Sequence, residues 1–210
     1  MNVALIDWKG YFDKNIYARD GLIEDALTGE INQEVFEDLK TNIYGDIKDW
    51  IDRFNLNKIV IAFESASWRK DFFPLYKFQR KIKRKKSNVK HWDLWKEFVE
   101  DMKEEFSKFP IVQVHHPKLE ADDVNAILCK YYAEKGDSVY LMCNDKDYTQ
   151  MFRYYQEGYN EIYMYNTKKK AFLDTVDYRD DLYKAIIQGQ SKDDIPSGLK
   201  RKLVKEDFYS

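Results

Sequence analysis

Acidic side chains lie at the ends of four short apolar runs of the sequence. Each run has the length and the apolar or β-branched composition of a strand that is covered on both faces of a sheet. Because the carboxyl ends of parallel strands share one edge of a sheet, we expect these acids to meet in a single crevice. The runs are residues 3–6, 58–63, 111–114 and 138–143, and the acids after them are Asp7, Glu64, Glu120, Asp122, Asp123, Asp145 and Asp147.

Carboxylates that share a crevice repel one another, and a cation among them relieves this repulsion. The set offers oxygen ligands and no Cys/His spacing of the zinc type, which favours the hard cations Mg²⁺ and Mn²⁺. An acid-rich site typically holds two ions about 4 Å apart, and such a pair suits phosphodiester hydrolysis. One ion activates water and the other stabilises the leaving oxygen. We therefore expect two Mg²⁺ ions, with Mn²⁺ as a substitute.

Helix capping is the alternative explanation for these acids. Asp122 and Asp123 are expected in a first helical turn, where the helix dipole favours negative charge. Capping or simple surface exposure explains any single acid better than metal binding does, but four strand ends in register favour a metal site. His115 and His116 follow the third run, and we expect them on the surface or in packing, because the neighbouring acids already suffice as ligands.

A basic segment interrupts an otherwise acidic chain whose net charge is −2. Residues 72–92 contain no acid, and their cations alternate with aromatic side chains such as Phe72, Phe73 and Phe78. Cations neutralise phosphates and aromatic rings stack on bases, which is the combination that a single nucleic-acid strand requires. A solvated helix face is the alternative, although such faces normally mix both signs of charge. The cations are Lys77, Arg80, Lys81, Lys83, Arg84, Lys85, Lys86 and Lys90.

Helical patterns alternate with the predicted strands. Residues 34–54, 91–109 and 121–132 place apolar side chains at helix-face spacing, and in the last of these the apolar face comprises Val124, Ile127, Leu128 and Tyr131. A fifth strand is predicted at residues 161–165. This alternation predicts an α/β fold with a mostly parallel central sheet and helices on both of its faces.

Length and composition narrow the class of protein. With 210 residues, 44% of them hydrophobic and 16% aromatic, the chain can form one folded domain or one domain with a small appendage. Cys129 and Cys143 lie in apolar runs and are expected as buried free thiols in a reducing compartment. No apolar run is long enough to span a membrane, and the first residues do not resemble a signal peptide. We therefore expect an intracellular protein without a membrane partner.

Several motifs together resemble the FEN-like 5′ nucleases, and among them the bacteriophage enzymes known as 5′-exonuclease or ribonuclease H. Residues 120–123 are similar to the family's E-A-D-D motif, and residues 145–150 to its D-K-D-x-x-Q motif. Asp7 stands where the family's first metal-binding aspartate follows strand one. Residues 76–80 resemble the Tyr-Lys-x-x-Arg sequence at the base of the family's helical arch.

The resemblance implies a PIN-like or FEN-like nuclease core over residues 1–180, with a basic helical arch at about 65–92. It also implies that Lys77 and Arg80 contact the scissile phosphate as catalytic groups. Tyr76, Lys77, Arg80, Lys81, Lys83, Arg84, Lys85 and Lys86 are then expected to bind nucleic acid. The first ion is expected on Asp7, Glu64, Glu120 and Asp122, with Asp123 joining them, and the second on Asp145, Asp147 and Asp193.

The sequence departs from the family pattern at two places. Glu64 stands where the family usually has aspartate, and its longer side chain shifts the geometry. Residues 189–196 resemble G-D-x-x-D-N-I-P, the start of a helix-three-turn-helix element that grips duplex DNA. Here Gln190 replaces the first aspartate, Asp193 keeps the second, and Asp194 replaces asparagine. We therefore expect a weaker second metal site and, over residues 181–210, a partial or truncated duplex-binding element in which residues 198–202 meet a backbone phosphate or form a solvated tail.

The leading hypothesis is a metal-dependent 5′ nuclease, acting as a 5′→3′ exonuclease or flap endonuclease. Its expected partner is DNA with a 5′ single-stranded end or flap, with RNA–DNA hybrids as a further substrate. We expect a cytoplasmic monomer, in the host cytoplasm if a phage encodes it. Two alternatives stay open: a structure-specific nucleic-acid-binding protein with weak or no cleavage, and a PIN-type ribonuclease, which lacks a basic arch.

Overall fold

A six-stranded sheet in the order β3-β2-β1-β4-β5-β6 forms the centre of the computed structural model. The structure describes residues 1–25, 27–156, 161–173 and 177–197. The first five strands run parallel and β6 is antiparallel. The strands are β1 Asn2–Asp7, β2 Lys58–Ala62, β3 Ile111–Val114, β4 Ser138–Cys143, β5 Ile162–Asn166 and β6 Ala171–Phe172.

Eight α-helices are seen in the described residues. They are α1 Trp8–Arg19, α2 Glu34–Phe54, α3 Arg69–Phe72, α4 Phe78–Lys85, α5 Trp92–Ser107, α6 Ala121–Glu134, α7 Phe152–Gln156 and α8 Tyr178–Gln188. The mostly parallel α/β fold predicted from the sequence is therefore confirmed.

The core lies on both faces of the sheet because β1 alternates its buried side chains between them. Ala4 and Ile6 join one cluster with the apolar residues of α1, α2 and α5. Val3 and Leu5 join the other with residues of α6, α7 and α8. Both thiols, Cys129 and Cys143, are free and buried, as expected.

The strand register brings the carboxyl ends of the central strands to the same level. Asp7 of β1 aligns with Ala62 of β2, which in turn aligns with Val114 of β3. On the other side, Ile6 aligns with Met142 of β4. The acids that follow these strands therefore leave the sheet at one edge, which is where ligands bind in open parallel sheets.

Two features of the helices differ from the sequence prediction. Helix α1 has no counterpart among the predicted helices, although Trp8, Phe12 and Ile16 recur at helical spacing and are buried. The predicted apolar face of α6 is right for Val124, which is buried, and Leu128, which packs on the core, but wrong for Ile127 and Tyr131, which are 59% and 46% exposed. Asn125 is buried instead, since its amide nitrogen donates a hydrogen bond of 3.0 Å to the Tyr148 hydroxyl.

The basic residues belong to a segment, 65–92, that we call the arch. It contains α3 and α4, neither of which has a buried residue. Near one end, the Trp68 N–H donates to the Lys118 carbonyl at 2.9 Å. At the other end, buried Asp20 accepts hydrogen bonds from the Lys90 N–H at 2.7 Å and the Trp95 indole at 2.9 Å. The arch is therefore fixed at both ends, while its helices lie on the surface.

The C-terminal region begins with α8. The expected domain boundary at residues 180/181 falls inside this helix. The duplex-binding element expected over residues 181–210 stays a prediction. The expected phosphate contacts of residues 198–202, like all of 198–210, lie outside the described residues. Among the helices of the described residues, none combines the length and the apolar character needed to cross a membrane.

Replacing Asp20 by alanine should destabilise the fold by about 3 kcal/mol, because three buried or partly buried donors, on Lys90, His91 and Trp95, lose a charged acceptor. Urea unfolding at neutral pH measures this. Asp52→Ala is the matched control, since Asp52 forms an exposed ion pair with Lys48 that is worth about 0.5 kcal/mol or less. Equal losses in the two variants would contradict an anchoring role for Asp20.

Candidate metal centre and nucleic-acid interface

Three acids at the sheet edge differ from the others in their ion pairing. Asp7, Glu64 and Asp122 line an open cleft of about 650 Å³. None of the three forms an ion pair with a lysine or arginine among the described residues, whereas the five other expected metal ligands all do. This difference separates the acids into one unpaired group and two paired groups.

Local backbone structure positions the unpaired acids. Asp7 caps α1 by accepting a hydrogen bond of 2.8 Å from the Gly10 N–H. A Cβ atom at position 10 would lie 2.8 Å from Asp7 Oδ2, so glycine allows the carboxylate to lie against the first turn. Glu64 accepts from the Ala121 N–H at 3.1 Å, at the start of α6, and Asp122 lies in the same first turn. The positive ends of two helices thus face this group.

Burial makes these carboxylates difficult to ionise without a cation. It raises the pKa of Asp7 and Glu64, and the charge of a neighbouring acid adds to the effect in each case. It raises the pKa of Asp122 to about 6, with a further contribution from Glu120. Three such carboxylates lining one cleft offer the oxygen ligands that a hard divalent cation requires, and no direct ion pair neutralises them among the described residues.

Glu120 and Asp123 form the first paired group. One carboxylate oxygen from each of Glu120, Asp122 and Asp123 lies within 4.8 Å of the other two, as a metal site would require. However, Arg69 binds Asp123 with two nitrogens, at 2.7 and 2.8 Å, and reaches Glu120 at 3.2 Å. Lys77 also pairs with Glu120 and, against the effect of burial, holds its pKa below the usual value. Arg69 was not predicted as a site residue, although it lies in the arch, three residues before the acid-free basic segment.

Asp145, Asp147 and Asp193 form the second paired group. Lys192 Nζ lies 2.9 Å from an Asp145 oxygen and 2.8 Å from an Asp147 oxygen. Arg80 pairs with the buried Asp193 at 2.6 Å. Lys192 lies inside the loop that was identified by its resemblance to G-D-x-x-D-N-I-P, but no sequence pattern indicated where its side chain would lie.

A second cleft, of about 660 Å³, adjoins the acidic one beneath the arch. Lys77 and Arg80 line both clefts and therefore connect them. Lys81, Lys83 and Arg84 line only the second. The exposed Lys85 and Lys86 are part of neither lining.

The aromatic residues of the arch include both exposed and buried rings. Phe72 is 82% exposed, and the Arg84 guanidinium lies 3.9 Å from the centre of the Trp92 ring. Nucleic-acid contact by Tyr76 stays a prediction; in the structure Tyr76 is only 6% exposed and its hydroxyl donates to Glu120 at 3.0 Å. Its ring is therefore part of the protein interior, and its hydroxyl orients a carboxylate.

The sequence matches the family model described as the 5′-3′ exonuclease, N-terminal resolvase-like domain, over residues 3–181. Among curated proteins, ribonuclease H of Enterobacteria phage T4 is 28% identical over 160 residues, which are 72% of this chain and 48% of that protein. The chain therefore spans about half the length of the curated relative it matches.

Solved structures show the same fold at low sequence identity. The 5′-exonuclease of T5 with bound zinc has a TM-score of 0.68 and 15% identity, covering 95% of this chain and 71% of that one. A bacteriophage T5 flap endonuclease in complex with DNA and metal ions has a TM-score of 0.65 and 16% identity, with coverage of 96% and 71%. The catalytic core of Rad2 with its DNA substrate has a TM-score of 0.53 and 18% identity, with coverage of 95% and 57%.

Replacing Asp122 by asparagine should stabilise the metal-free protein at pH 7.5 by about 2 kcal/mol. The pKa of Asp122 is about 6 in the folded state, above the unfolded value of about 4, so its ionisation costs folding free energy as the pH rises through this window. Urea unfolding in EDTA should show a gain that shrinks as the pH falls from about 6 to 4. The exposed Asp101→Asn control should change stability by less than about 0.5 kcal/mol at either pH. No gain at pH 7.5 would contradict a buried, uncompensated charge.

Proposed function

The chain belongs to the 5′-3′ exonuclease family, and on this premise we propose that it is a Mg²⁺-dependent 5′ nuclease that hydrolyses phosphodiester bonds of DNA near a 5′ end or flap. The observation that carries this proposal is that two adjoining clefts share Lys77 and Arg80. The three unpaired carboxylates line the first cleft, and cations of the arch predominate in the lining of the second. A strand held by the cations would bring a phosphate to the acids.

The unpaired acids Asp7, Glu64 and Asp122 fit a divalent ion best, because they supply oxygen ligands and none of them forms an ion pair with a lysine or arginine among the described residues. When bound, such an ion would act as a Lewis acid that lowers the pKa of water and polarises the phosphate. Glu120 and Asp123 can join as ligands only where Lys77 and Arg69 release them. Mg²⁺ is the proposed ion and Mn²⁺ the proposed substitute, in keeping with all-oxygen ligation.

Lys77 and Arg80 are the proposed catalytic side chains. Both line the two clefts, so a phosphate that passes from one to the other meets them. Their charges would stabilise the negative charge that develops on the phosphate oxygens during hydrolysis. In the structure Lys77 pairs with Glu120, and Arg80 pairs with Asp193. A bound phosphate would compete with these two carboxylates for the two cations.

The proposed substrate has a 5′ single-stranded end, because the cleft beneath the arch presents cations that can pair with the phosphates of one strand. DNA is the first choice, since T5 and Rad2 relatives were solved with it. The name ribonuclease H of the T4 relative makes an RNA–DNA hybrid the second substrate. We propose that the protein acts as a monomer in the cytoplasm, which for a phage protein is that of the host.

A labelled 5′-flap duplex incubated with Mg²⁺ should yield short 5′ products, and EDTA should abolish them. Lys77→Ala should lower kcat by about 100-fold or more, because a cation that acts on the transition state is lost. Lys85→Ala, on the same arch but outside both clefts, should retain activity. Binding without product in Mg²⁺ or Mn²⁺ would favour a nucleic-acid-binding protein, and preferential cleavage of single-stranded RNA would favour a PIN-type ribonuclease.

Replacing Lys81 and Lys83 together by glutamine should flatten the salt dependence of single-strand binding. Each phosphate contact adds about 0.7 to the slope of log K against log salt, so the slope should fall by about 1.4. Fluorescence anisotropy with a labelled oligonucleotide measures it. The double variant of Lys85 and Lys86 removes the same charge from outside the clefts and should change the slope by less than half as much. Equal changes would show that the arch binds the strand on its outer surface.

A further inference from the structure

Lys192 lies where a cation would bind the carboxylates that follow β4. Its ammonium nitrogen is 2.9 and 3.2 Å from the two Asp145 oxygens and 2.8 Å from an Asp147 oxygen. The amide nitrogen of Gln190 approaches the other Asp147 oxygen at 3.5 Å. The two carboxylates are thus bridged by a protein cation and approached by an amide donor, both from one loop.

The loop fixes the position from which Lys192 extends. Gln190 and Ile195 pair through two backbone hydrogen bonds, of 2.9 and 3.1 Å. Gly189 has a φ of +71°, and a Cβ atom there would lie 2.5 Å from the Pro196 backbone, so the close approach requires glycine. Arg80 Nε also donates to the Lys192 carbonyl at 2.9 Å. The backbone of Lys192 is therefore held within a closed loop and bonded to Arg80 of the arch.

The charge balance of this group contrasts with that of Asp7, Glu64 and Asp122. A divalent ion on Asp145 and Asp147 would face the Lys192 ammonium, and repulsion between them opposes binding strongly at such short range. The third acid nearby, Asp193, is already paired with Arg80. Position 190 contributes an amide, which adds no negative charge. The residues present thus do not fit a second divalent ion.

We propose that the Lys192 ammonium takes the place of the second divalent cation, so that the chain binds a single divalent ion tightly, on Asp7, Glu64 and Asp122. The inference rests on the proposed metal site, but it does not require that the protein cleave nucleic acid. Lys192 would offset one of the two negative charges of Asp145 and Asp147 at any metal concentration.

Calorimetric titration of the EDTA-treated full chain with Mn²⁺, without nucleic acid, tests the proposal. The wild-type protein should bind one ion, and Lys192→Met should bind two, with the affinity of the second raised by about tenfold or more. Lys146→Met is the matched control, because Lys146 lines the same cleft without an ion pair among the described residues, and it should still bind one ion.

Two further variants keep the result unambiguous. Lys192→Gln should reproduce the second ion if charge is responsible, and circular dichroism verifies that each variant is folded. Asp7→Asn combined with Lys192→Met should bind one ion, at the newly available site. Two ions of similar affinity in the wild-type protein, or one ion in both Lys192 variants, would overturn the proposal. Cleavage assays are separate, so an inactive protein that follows this pattern would refute the proposed nuclease while supporting the role of Lys192.

Discussion

The accumulation of carboxylates at one edge of a parallel sheet is the constraint on which the rest of this structure depends. Eight acids meet there, and so much negative charge in partly buried positions is unfavourable without cations. Four side chains, Arg69, Lys77, Arg80 and Lys192, form ion pairs with five of the acids. All four come from the arch or from the loop after α8, so these segments help to balance the charge of the sheet edge as well as to surround it.

The sequence predicted the location of this edge because strand ends are local features. A buried strand needs a run of apolar residues, and the acid after it necessarily leaves the sheet at the carboxyl end. Asp7, Glu64 and Asp122 were therefore predictable as neighbours, and they line one cleft. The short strand β6 carried no such signal, since two residues are too few to form a pattern.

The pairing of acids with cations could not be predicted in the same way. Arg69 and Asp123 are 54 residues apart along the chain, and Lys192 and Asp145 are 47 apart. Such contacts depend on the path of the arch and the loop, which hydrophobic periodicity does not encode. Tyr76 shows the same limit, because a tyrosine among cations fits base stacking equally well until the fold buries it against Glu120. For the acids, sequence patterns thus located the edge, whereas tertiary contacts decided which of them stayed free.

The shared cations make metal binding and phosphate binding interdependent. On the proposed function, a phosphate that draws Lys77 away from Glu120 leaves this buried carboxylate without its main neutralising partner, and a nearby divalent ion then gains a ligand. By linkage, an ion that binds Glu120 releases Lys77 for phosphate to the same extent in free energy. Lys192 stands outside this exchange, since its carboxylates do not contact Lys77 or Glu120. The exchange at Glu120 therefore couples the two ligands, while the Lys192 pair holds the neighbouring negative charge constant.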